Sequence, residues 1–223
     1  MLEVRDLCAW HGAAQALFGV SLRVAVGELV VLQGLNGAGK STLLQAAMGL
    51  VPRVAGTISY QNESIIDLPP FRRAQRGLGY VPEDRCLFTA LTVKENLRIA
   101  ARTDVKKRSA AAEIARQEDL VLTLFPALKP MLRRNAAQMS GGEQQMLSIA
   151  RTLMTQPALM LLDEPCEGIA PVLVESIRDA LLALKAQGLS MLVAEQNGIL
   201  AERADRVITL VAQQSCNAIA PGL

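Results

Sequence analysis

Gly34-Leu35-Asn36-Gly37-Ala38-Gly39-Lys40-Ser41 is the stretch that decides the fold. It fits the spacing G-x-x-x-x-G-K-S, in which a glycine-rich backbone closes around phosphate. Lys40 adds a positive charge at the β and γ phosphates, and Ser41 offers a hydroxyl to a divalent cation. The flanks supply the context such a loop needs. The continuous apolar run Leu29-Val30-Val31-Leu32 reads as a strand buried on both faces, and Thr42 to Leu50 is compatible with a helix. A plain glycine turn would account for Gly34 and Gly37. It would leave Lys40-Ser41, directly after Gly39, unexplained.

Outward from the loop, strands are expected over residues 2–4 and over 20–26, where Val20, Leu22, Val24 and Val26 alternate. Residues 84–138 are rich in Ala, Lys, Arg and Glu, with Leu97, Ala101, Ile114, Leu120, Leu124 and Leu128 at roughly helical intervals. This predicts an inserted helical subdomain. Beyond it come a helix over about 142–154, a strand over 158–162, an amphipathic helix carrying Val174, Ile177, Leu181 and Leu184 that stops at Gly188, and a strand over 190–194. Strand and helix in alternation imply a parallel α/β sheet. Residues 211–223 carry no periodicity.

The strand Ala158-Leu159-Met160-Leu161-Leu162 ends in Asp163-Glu164-Pro165. Carboxyl ends of parallel strands are where α/β proteins hold ligands, so Asp163 is a candidate for the cation and Glu164 for proton acceptance from an attacking water. Taken alone, an acidic strand end would be an ordinary turn; the upstream phosphate loop makes it a site. Met139-Ser140-Gly141-Gly142-Glu143 gives a helix N-terminus receptive to anions. Ser140 with Glu143 three residues on is also a capping box, and both roles can coexist.

Composition narrows the rest. With 223 residues there is room for one domain with a subdomain, and 51% apolar against 20% charged residues excludes a disordered chain. The 23 Lys and Arg against 21 Asp and Glu, with only 3% aromatics, give no basis for nucleic-acid binding. Cys8, Cys86, Cys166 and Cys216 are scattered, and His11 is the only imidazole, which argues against a zinc site and for a reducing compartment. Charges within the first six residues do not fit a secretory leader, and no run reaches the 18 apolar residues of a membrane span.

The three motifs, in their order along the chain, resemble those of the ABC (ATP-binding cassette) ATPase family, and the resemblance runs from Leu2 to about Leu210. It implies an α/β phosphate-loop NTPase with a parallel-sheet core (about 1–83 and 143–210), N-terminal antiparallel strands, a helical subdomain (about 84–142) and a tail, 211–223. It implies ATP and Mg²⁺ as cofactors. Gly34, Asn36, Gly37, Ala38, Gly39, Lys40, Ser41 and Thr42 would hold the nucleotide; Ser41, Asp163 and Glu83 would hold the metal; Lys40, Glu164 and Gln196 would act in catalysis. Family members pair head to tail, so Ser140, Gly141, Gly142 and Glu143 would act on the nucleotide of a second cassette subunit.

Departures from the family pattern are specific. Glu83 stands where glutamine is common, Gln196 where a histidine is usual, and Ala170 where aspartate is frequent. The adenine-stacking aromatic falls at Trp10 or His11, with a core tryptophan as the competing reading. The segments VPEDR (81–85), LTVKENL (91–97), DEPCEGIAP (163–171) and VAEQN (193–197) resemble ATP-binding subunits of bacterial branched-chain amino acid importers, with urea and short-amide importers close. This implies transmembrane permease subunits as partners, a substrate-binding protein indirectly, and a place on the cytoplasmic face of the cell membrane. Asp84 to Leu91, with Leu87, Phe88 and Leu91 as apolar anchors, is the expected docking segment. Soluble cassette ATPases of DNA maintenance share the motifs but need a long coiled-coil insertion or a second cassette. A regulatory module without turnover is the other alternative, motivated by Gln196 and Glu83.

Overall fold

The computed structural model describes residues 1–101 and 110–211; the basic run Lys106-Lys107-Arg108, Cys216 and nearly all of the aperiodic tail lie outside them. Among the described residues nine strands form two sheets. β1 (Leu2–His11), β2 (Ala14–Val24), β4 (Arg53–Tyr60) and β5 (Glu63–Ser64) make an antiparallel sheet in the order β2-β1-β4-β5. β3 (Leu29–Gln33), β6 (Leu78–Val81), β7 (Leu159–Asp163), β8 (Ser190–Glu195) and β9 (Arg206–Thr209) make a parallel sheet in the order β6-β7-β8-β3-β9.

The continuous apolar runs behave as strands buried on both faces. Alternate residues of the parallel sheet go to two different cores. Leu29, Val31, Val81, Met160, Leu162, Met191 and Val193 face one cluster; Val30, Leu32, Leu159, Leu161, Leu192 and Ala194 face the other. The first cluster is filled by α3 (Val93–Ile99), α4 (Ala110–Leu124), α5 (Gly141–Leu153) and α6 (Pro171–Ala186), so the helices between β6 and β7 share a core with the sheet. The second holds α1 (Lys40–Met48) between the two sheets, against Leu2, Val4, Leu7 and Ala9. The remaining helix, α2 (Pro70–Gln75), runs into β6.

Several expectations shift. β1 extends well past Val4 because Asp6 takes a left-handed φ of 50° and the register slips between Val4 and Leu7, returning Leu7 and Ala9 to the core. β2 begins earlier and ends at Val24, which leaves Val26 79% exposed. In the middle block Leu97 and Leu128 are fully buried as expected, but Leu120 is half exposed and Phe125 takes a core place instead.

Candidate functional site

Four strand ends converge on one edge of the parallel sheet. β8 lies between β3 and β7, with Ala194 level with Leu32 on one side and Asp163 on the other. The loop after β3 therefore opens beside the end of β7, and β6, next to β7, delivers Glu83 just past its own end. The glycine at the loop's end is required by space. Gly39 caps α1 with a φ of 95°, and a Cβ there would fall 2.6 Å from Leu17 Cδ2 and 2.9 Å from the Ala16 carbonyl oxygen. Without a side-chain cap or an acidic residue in its first turn, α1 presents free N–H groups and the positive end of its dipole. A chamber of about 380 Å³ lies over it, lined by Asn36, Gly37, Lys40, Ser41, Glu83 and Glu164 among others.

Lys40 is 5% exposed. Its Nζ donates to the Gly34 carbonyl at 2.8 Å and sits 3.2 Å from Glu164 Oε1. Ser41 donates to Asp163 Oδ1 at 2.9 Å, and the Tyr80 hydroxyl donates to Oδ2 at 3.3 Å. Burial pushes Asp163 up to about 6, reinforced by the nearby Glu83 and Glu164 and opposed by those two hydrogen bonds. Burial also raises Glu164, against the stabilising Lys40 and the Gln196 N–H. Glu164 adopts a left-handed φ of 45°, an arrangement that costs about 1–3 kcal/mol and persists where the surroundings over-determine it. Its own N–H continues the ladder to the Ala194 carbonyl at 2.9 Å, and its Oε2 accepts from the Gln196 N–H at 3.1 Å.

Gln196 thus meets the site through its backbone, while its side chain is exposed. Neighbouring Glu195 is 3% exposed and accepts from the N–H groups of Leu200 and Ala201, which fixes the turn after β8. Sequence reading missed Tyr80 and Glu195; the only signal was their place at the carboxyl ends of strands. His11 and Trp10 fall on opposite faces of β1. His11 Nε2 lies 3.2 Å from Thr42 Oγ1, on the phosphate-loop helix, whereas the half-buried Trp10 is covered by the Arg53 guanidinium at 4.5 Å.

Ser140 caps α5 in both senses of the box: its N–H donates to Glu143 Oε2 at 2.7 Å and its hydroxyl accepts from the Glu143 N–H at 3.4 Å. Gly142 is a glycine because α6 presses on it, with Leu173 Cδ1 2.4 Å from where a Cβ would lie. Residues 140–143 do not line the chamber around Lys40. Among the described residues, no three His, Cys, Asp or Glu side chains form a metal cage. The donors beside Lys40 are all oxygen: the Ser41 hydroxyl and the Asp163 and Glu83 carboxylates. That set suits Mg²⁺, which takes few protein ligands and completes its shell with water and phosphate oxygens.

The family model for ABC transporters matches residues 17–167. The high-affinity branched-chain amino acid transport ATP-binding protein BraG of Pseudomonas aeruginosa is 41% identical, over 94% of this chain and 88% of its own. The lipopolysaccharide export system ATP-binding protein LptB of Haemophilus influenzae is 35% identical, over 88% of this chain and 80% of its own. Among solved structures, an ATP-binding subunit of an ABC transporter superposes with a TM-score of 0.80 at 34% identity, covering 94% of this chain and 85% of that one.

Proposed function

The chain belongs to the ABC transporter family, as an ATP-hydrolysing subunit, and we propose that it powers import of branched-chain amino acids through membrane permease partners. The observation that carries this substrate class is the 41% identity to BraG, against 35% to the lipopolysaccharide exporter subunit. No helix among the described residues is long and apolar enough to cross a membrane, so transport requires partners that do. A peripheral place on the cytoplasmic face follows from that reading.

In this account the phosphates of ATP rest on the N–H groups at the start of α1 and on Lys40. Ser41 and Asp163 would hold Mg²⁺, with Glu83 acting through water. When bound, Mg²⁺ would neutralise charge on the phosphate oxygens. The water oxygen attacks the γ-phosphorus, the bond to the β–γ bridging oxygen breaks, and ADP leaves with that electron pair. Glu164 takes the water's proton. As Lys40 turns from Glu164 to phosphate, the buried carboxylate loses its cation and gains proton affinity, which suits it as a base. The exposed Gln196 amide is available to the γ-phosphate. His11, beside Thr42, is the better-placed candidate for adenine. Ser140 to Glu143 serve the nucleotide of a second copy or a close relative.

Asp163 sets a pH dependence. Its carboxyl, raised to about 6, must lose its proton to bind a cation. The Mg²⁺-dependent part of ATP affinity should therefore fall as pH drops through about 6, while any Mg²⁺-independent part changes little. Nucleotide titrations with and without Mg²⁺ at several pH values measure this; a Mg²⁺ effect undiminished below pH 6 would contradict the assignment.

Membrane docking has its best support at Phe88, which is 50% exposed beside the Arg151 guanidinium, 5.6 Å from its ring. Leu87, proposed with it on sequence, packs against the core. A cleft of about 770 Å³ is lined by Met48 of α1, Pro70 and Ala74 of α2, Cys86 and Arg151 of α5, and reaches Ser41, Glu83 and Asp163. Phe88→Asp should release co-purified permease subunits and abolish leucine uptake, leaving ATPase activity of the isolated chain. Retained permease binding would rule out the docking site. Uptake of urea but not leucine would overturn the substrate class.

A further inference from the structure

Directly after Glu83 the backbone makes a turn that side chains resist. Arg85 and Cys86 are consecutive left-handed residues, with φ of 64° and 45°. The turn is held from α5. Arg151 donates to the carbonyls of Cys86 at 2.8 Å and Arg85 at 3.2 Å, and the Ser148 hydroxyl donates to the Arg85 carbonyl at 3.0 Å.

This geometry sends the Arg85 side chain back over the first turn of the same helix. Its Nε donates to Gln145 Oε1 and its Nη1 to Gln144 Oε1, both at 3.3 Å. Two guanidinium nitrogens lie 3.3 and 3.4 Å from where a Cβ on Gly141 would sit, so the glycine makes room for the cation. A positive charge is unfavourable at a helix N-terminus. Arg85 forms no ion pair among the described residues, and Glu143, the acidic residue of that first turn, accepts from the Ser140 N–H instead. A strained turn and a cation outside any ion pair are thus both kept where the loop after Glu83 meets the start of α5.

We propose that Arg85 is a positioning residue that locks the Ser140–Gly142 turn to the loop carrying Glu83. The part of the chain beside its own phosphate chamber and the part offered to the neighbouring subunit's nucleotide then move as one body. The inference rests on the shared-site reading above. It assigns Arg85 no contact with the nucleotide of its own subunit. Loss of the guanidinium loosens the face presented to the partner and leaves the chain's own phosphate loop unchanged.

The test uses the full chain carrying Glu164→Gln, so that ATP is bound without being consumed. Sedimentation measures MgATP-driven dimerisation, nucleotide titration at low protein concentration measures monomer affinity, and a melting curve measures the fold. Adding Arg85→Ala should weaken the ATP-driven dimer by about tenfold, within the usual range of site-to-site coupling, with monomer affinity and melting midpoint at parent values. Arg85→Lys keeps charge without the planar fork and should recover only part of the loss. Dimerisation equal to the parent in the Ala variant would overturn the proposal. So would a loss matched by weaker monomer binding or earlier melting in both variants, which marks a purely structural role. If the Glu164→Gln parent itself fails to dimerise with ATP, the shared-site reading falls and takes this proposal with it.

Discussion

Replacing Glu164 by Gln is expected to lower ATP turnover by about 10²–10⁴-fold while ATP still binds. The amide keeps the size of the carboxylate, and its oxygen can still accept from the Gln196 N–H that holds Glu164 Oε2 at 3.1 Å. What disappears is the proton acceptor and the negative charge 3.2 Å from Lys40. Freed of that charge, Lys40 should hold phosphate at least as firmly as in the parent, so affinity should stay level or rise. Single-turnover phosphate release, read beside fluorescent-nucleotide binding, separates the two effects. A Gln variant that releases phosphate at the parent rate would remove Glu164 from the chemistry.

Lys40→Ala should act on binding, turnover and stability together. A charge-assisted contact of this kind is worth about 1.5–3 kcal/mol, which corresponds to roughly a 10–150-fold loss of ATP affinity. The substitution also leaves the Glu164 carboxylate, 8% exposed, without its cation. Its folded-state affinity for a proton, already raised by burial, should rise further. A carboxyl whose folded pKa lies above its unfolded value favours folding below the unfolded value and loses that contribution as pH rises through the folded one. Lys40→Ala should therefore melt earlier than the parent, and the gap should widen from acidic towards neutral pH. Adding Glu164→Gln should close the gap in melting without restoring nucleotide binding. A pH-independent gap would mean that Lys40 supports the fold by other contacts.

The parts of the fold legible from sequence were those with a local signal that tertiary context leaves intact. β3, β7 and β8 are apolar runs buried on both faces and of strand length, too short for a buried helix. The α5 terminus was legible because Ser140 and Glu143 satisfy a local rule that tertiary context leaves intact. β4, β6 and β9 were not singled out. β9 is an edge strand with mostly exposed residues, and β6 carries Gly79 where Thr152 and Pro157 pack against the strand. Trp10 and His11 could not be separated, since adjacent strand residues face opposite ways and the bulges in β1 reset which way is inward. For Gln196 the residue type drew notice to the side chain, whereas the contact to Glu164 is made by the backbone.

The measurement that tests the shared catalytic site most directly is phosphate release from an equimolar mixture of two inactive variants, Lys40→Ala and Ser140→Arg. Each homodimer carries a lesion in both of its sites. If the loop of one subunit works with Ser140 of the other, a mixed dimer gathers both lesions in one site and leaves its second site intact. Activity should then appear on mixing and rise with the fraction of mixed dimers. If mixed dimers form and release no more phosphate than the separate variants, Ser140 does not act across the interface and the account is wrong.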